Sequence, residues 1–186
     1  MKDGKARSAL VVAVRLALAG CTLIGGKPEH PAVTYDLRRP PTRADVGIPD
    51  GEKVVVDEAN EGYPVTLLLP EGRRLKTKVN LVTFDSFGAG TDATHADPTG
   101  ADLHTARVSL DDAAAVMAAS LRQLGSSGAA ADRWVERARS ATGTATVRSE
   151  NIPTRLGYLT VRLQGRYSPL DERASVAYTL DFAADG

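Results

Sequence analysis

Near the C-terminus, two runs of residues alternate between apolar and polar side chains. In residues 158–167, Leu159, Val161 and Leu163 alternate with Thr160, Arg162 and Gln164; in residues 174–182, Val176, Tyr178, Leu180 and Phe182 alternate with Ala177, Thr179 and Asp181. Successive side chains of a strand point to opposite faces, so a period of two makes each run a strand with one buried face. The polar stretch 168–173, with Pro169 and Asp171, joins them. Two such runs across a short turn form an antiparallel hairpin. A lone hairpin is marginal in water, so its apolar face must be covered by something else in the chain.

The cover is legible upstream. Leu110, Ala114, Met117, Leu121 and Leu124 recur at steps of three and four, which places them on one side of a helix. Ser109 stands where an N-cap belongs, with Asp111 and Asp112 at the positive end of the dipole, and Gly125 is placed to end the helix. A second helix is expected over 129–141, capped near Ser127, with Trp134, Val135, Ala138 and Ala141 on its apolar side. Its Arg133, Arg137 and Arg139 read as a solvated face with cations near the negative end of the helix.

Before these helices lie β-like runs. Residues 53–56 and 65–69 read as two short strands, and 74–87 as a longer one with Leu75, Thr77, Val79 and Leu81 on one face. Residues 103–108 and 144–148 read as short strands, the latter broken at Asn151-Ile152-Pro153. The order of strands, two helices, then strands predicts an α+β fold: a mainly antiparallel sheet with two helices packed on one face.

The N-terminus carries a different kind of signal. Lys2, Lys5 and Arg7 precede a mostly apolar stretch, residues 8–19, interrupted by Arg15 and ending in Leu18-Ala19-Gly20-Cys21. A basic start followed by a short apolar run is the grammar of secretory signals, and the run is too short to span a bilayer. Together with the four residues at its end, it resembles the signal and lipobox of bacterial lipoproteins. The resemblance implies cleavage between Gly20 and Cys21 and a diacylglyceryl group on the Cys21 thiol, with Leu18, Ala19 and Gly20 as recognition residues. It also implies a chain held to the extracytoplasmic face of the cell membrane.

Residues 22–49 hold five of the ten prolines, plus Gly25-Gly26, and show no helical or strand period. They read as an extended, poorly packed tether, open to proteolysis at Arg38, Arg39 or Arg43. The alternative is that residues 33–37 dock as an edge strand. The expected organisation is therefore a signal at 1–20, the lipidated Cys21 and tether to 49, and one domain over 50–186.

Composition narrows the function. The chain has 23 Lys and Arg against 23 Asp and Glu; loss of the first twenty residues removes four bases and one acid, leaving a net charge of about −3. With aromatics at 5%, neither duplex binding nor base stacking is supported, and no nucleic-acid partner is expected. One Cys excludes an internal disulfide and Cys-rich zinc modules. There is no Gly-x-Ser-x-Gly elbow and no Ser-x-x-Lys pair.

One loop could carry chemistry. Asp92, His95, Asp97, Asp102 and His104 place two imidazoles and three carboxylates within thirteen residues, donors suited to a divalent metal. Their spacing matches neither a helical HExxH pattern nor an EF-hand loop. Two function classes follow. The first is a noncatalytic, membrane-tethered domain, with no cofactor, that binds a protein, an envelope polymer or a small apolar ligand. The second is a metal-assisted enzyme built on the His95–His104 loop.

Overall fold

The protein is described by a computed structural model that covers residues 31–86 and 95–183. In chain order, its elements are β1 (Val33–Asp36), α1 (Arg43–Val46), β2 (Val54–Leu68), β3 (Arg74–Asp85), β4 (Gly100–His104), α2 (Leu110–Gln123), α3 (Ala129–Arg139), β5 (Val147–Arg148), β6 (Ile152–Leu156), β7 (Leu159–Ser168) and β8 (Arg173–Phe182). One sheet runs β1-β2-β3-β4-β8-β7-β5, with β6 also paired to β7. Every pairing is antiparallel except β1 with β2. The fold is α+β, with α2 and α3 packed on one face of the sheet, as the sequence predicts.

The expected C-terminal hairpin forms, with Leu163 opposite Tyr178 and Val161 opposite Leu180. Its even-numbered β8 residues from Ala174 to Phe182 are buried beneath α2. The Ser109 hydroxyl accepts from the Asp112 amide at 3.1 Å, capping α2 as expected, and Gly125 takes the left-handed conformation at its end. The buried side of α2 is turned slightly from the expected stripe. Ala113, Met117, Ser120, Leu121 and Leu124 are buried, whereas Leu110 and Ala114 sit half-buried at the margin. Ser120 is tolerated inside because Tyr178 supplies a partner: the two hydroxyl oxygens are 2.9 Å apart, and Thr77 Oγ1 lies 3.0 Å from the same phenol. This chain of hydroxyls ties α2, β8 and β3 together without leaving a buried polar group unmet.

Several local expectations are corrected. The two short runs at 53–56 and 65–69 belong to one strand, β2, whose register against β3 shifts between Glu58 and Tyr63. The polar residues that resemble a loop are a bulge. At its end Gly62 has φ +72, and a Cβ there would lie 2.9 Å from the Val79 carbonyl oxygen. Opposite the bulge, β3 changes the side that it buries: Leu75 and Val79 point inward, then Val82 and Phe84, leaving Leu81 on the outer face with His104. The chain does leave the strand before Asn151, as expected, but Ile152 and Pro153 open a new one, β6, in which Pro153 is accommodated opposite Arg162 on a strand paired to β7 alone. The expected strand over 144–148 shrinks to Val147–Arg148, and the helix expected to 141 ends at Arg139. Ser127 does not cap α3; Gly128 occupies that position with no side-chain bond.

The expected tether also moves. Val33–Asp36 pairs in parallel with Val65–Leu68, the docked edge-strand alternative. Leu37, Val46 and Ile48 join the core. Thr42 and Asp45 form a capping box on α1, and the Arg43 guanidinium binds the carbonyl oxygens of Ala96, Pro49 and Glu52. The Tyr158 hydroxyl reaches the Leu37 carbonyl at 2.8 Å. Residues 33–48 therefore pack as part of the folded domain rather than as a tether. Prolines that suppress periodicity do not prevent docking when isolated apolar residues between them find holes in an existing core.

Candidate interaction surface

With α2 and α3 on one face, strand alternation assigns the residues of the other. Cross-strand partners share a face, so the registers place Asp102 and His104 on β4, Ser175, Ala177 and Thr179 on β8, and Arg162, Gln164 and Arg166 on β7 together. Arg148 of β5 and Arg155 of β6 extend this face toward the far edge. The short side chains of β8 stand between the longer ones of β4 and β7. Ala177 belongs to this helix-free face yet is only 4% exposed, because its partners across the ladder are His104 and Gln164.

Much of the polar chemistry here is internally paired. The Thr179 hydroxyl donates to Asp102 at 2.8 Å, and Arg162 forms an ion pair with Asp181. His104 is half-buried and its pKa is lowered, first by desolvation and then by the positive charge of Arg166, with Asp102 opposing. A lowered histidine pKa means that the unfolded chain binds protons more readily than the folded one. Stability is therefore expected to rise as pH increases through the window below 6.5 and to level off above it. Urea unfolding of the full chain between about pH 5 and 7.5 should show this slope, and His104→Gln should flatten it; an unchanged slope would exclude His104 as its source.

The loop residues singled out by the sequence divide. Asp102 and His104 lie two apart on β4, on the helix-free face. His95 is exposed in a turn, and Asp97 accepts from the Arg43 amide at 3.0 Å, holding α1 in place. Asp92, Gly20 and Cys21 lie outside the described residues. Among the described residues, no three His, Cys, Asp or Glu side chains form a group that could hold a metal.

The arginines of α3 act locally. Arg133 and Arg137 pair with Glu150, and Arg139 with Asp111 at 2.7 Å, all exposed contacts that tie α3 to its neighbours. Such surface pairs contribute little stability each. By contrast, no sequence pattern marks Arg148 and Arg166 as a pair. Arg166 follows the β7 alternation, but its juxtaposition with Arg148 depends on the β5 register, which no local pattern encodes.

Comparison of the chain with protein-family models, curated proteins and solved structures yields no match in any of the three. No helix among the described residues is long and apolar enough to cross a membrane. The reading of function rests on the chain's own chemistry.

Proposed function

We propose that this protein is a lipoprotein anchored through Cys21 to the extracytoplasmic face of the cell membrane, and that its domain binds a partner rather than catalysing a reaction. The observation that carries this reading is Leu18-Ala19-Gly20-Cys21 at the end of a short apolar run behind a basic start, with the chain's one cysteine at the acceptor position. The first described strand begins at Val33, so residues 22–32 are the length of chain between Cys21 and that strand. Fully extended, that stretch reaches about 35 Å, enough to hold the domain clear of lipid headgroups. The binding surface is the helix-free face of the sheet. Its polar side chains suit a protein or an envelope polymer better than a small apolar ligand.

Cys21→Ser tests the anchor. The unmutated protein, expressed in a bacterial host, is expected in the detergent phase of a membrane extraction, and the variant in the aqueous phase. Two acyl chains suffice for stable anchoring, whereas a domain of net negative charge gains nothing from anionic lipid. A variant that stays in the detergent phase would refute the anchor.

A further inference from the structure

We infer that the β5–β7 end of the helix-free face is an anion-binding site for an extended polyanion, contacted by Arg148 and Arg166 beside His104; this rests on the reading of that face as a binding surface but not on the lipid anchor. Arg148 and Arg166 are direct cross-strand partners on that face. Like charges placed directly opposite one another oppose strand pairing, so such a pair is retained at a cost unless an anion bridges it. Among the described residues, neither guanidinium has a carboxylate within ion-pair distance. The nearest acid in sequence, Glu150, is drawn away to Arg133 and Arg137 of α3. Asp181 is paired with Arg162, and Asp102, whose ladder position is level with Arg162, lies four residues along β7 from Arg166, so neither neutralises the pair. Arg166 makes only a long contact with Gln164, 3.4 Å, which leaves most of its planar fork open. Planar guanidinium forks suit the paired oxygens of phosphate or carboxylate groups.

The arrangement selects a polymer over a single small anion. Arg155 stands opposite Thr160, six residues along β7 from Arg166. At about 3.3 Å per residue the charged ends of this face lie about 20 Å apart, beyond the reach of one phosphate. Between them β7 presents Thr160, Arg162 and Gln164 on the same face, so an extended chain laid along the strand meets polar side chains throughout. The chain's overall charge is not basic, so attraction to a polyanion depends on this local row.

The test is binding of long-chain inorganic polyphosphate to the purified full chain, followed by calorimetry across a salt series. The unmutated protein is expected to bind with strong salt dependence. Arg148→Gln/Arg166→Gln should weaken binding about tenfold or more and reduce the salt slope by about two, one for each lost contact. Arg139→Gln on α3 should leave binding unchanged. Without polyanion, the double variant should melt no lower than the parent, because it relieves a like-charge pair. Absence of binding, equal binding by the double variant, or a lower melting temperature for that variant would each overturn the proposal. So would displacement of polyphosphate by orthophosphate at equal phosphate concentration, which would mark a single-anion site. Arginine-dependent capture of the Cys21→Ser chain by phosphatidylglycerol vesicles, without polyphosphate binding, would transfer the site to a lipid surface and overturn the polymer assignment.

Discussion

Trp134→Ala is expected to destabilise the domain by about 3–5 kcal/mol, the range for removing a large buried aromatic side chain. Trp134 is fully buried, and its indole nitrogen donates to the Val147 carbonyl at 3.1 Å. The ring packs against Gly165 of β7, where a Cβ would come within 2.6–2.8 Å of its atoms. A rigid ring cannot yield as a flexible chain end can, so Gly165→Ala should cost about 1–3 kcal/mol through overpacking. Gly165 also bonds to Ser149 through both its amide and its carbonyl, which holds the strand in place beneath the ring. The two substitutions should therefore be strongly non-additive: in the Trp134→Ala background, the cost of Gly165→Ala should largely disappear. Denaturant unfolding of the four proteins measures this coupling. Additive losses would mean that the ring does not rest on Gly165.

Leu37→Ala should cost about 2–5 kcal/mol, as expected for truncating a buried leucine. The sequence alone places Leu37 in a tether, where the same substitution would change stability by no more than about 0.5 kcal/mol. In the structure, Leu37 is fully buried, its amide donates to Leu68 at 2.7 Å and its carbonyl receives the Tyr158 hydroxyl. A chain beginning at Asp50 should lose more than the point variant, because it also removes β1, Val46 and Ile48. A chain beginning at Pro31 should melt within a few degrees of the full chain. Equal melting temperatures for the Asp50 and Pro31 chains would return residues 33–48 to the tether.

These two expectations separate what is local in this fold from what is not. The C-terminal hairpin, the capped start and left-handed stop of α2, and the α+β order were legible because each depends on periodicity or cap chemistry within about fifteen neighbouring residues. The candidate surface was only partly legible. Alternation puts Arg162 and Gln164 on the polar side of β7, and the chemistry of Asp102 and His104 marks them, but no spacing shows that the four share one face.

Tertiary structure decided the remainder, for a physical reason that recurs at each position. Leu37 and Ile48 lack periodic neighbours, so their burial depends on a core built by distant strands. The polar bulge ending at Gly62 does not end β2, because backbone bonding to β3 resumes beyond it. Gly165 is required by a tryptophan from another element. Arg148 meets Arg166 only through the register of a two-residue strand. Sequence determines the elements whose free energy is local; it leaves open the contacts whose free energy arises only when distant segments meet.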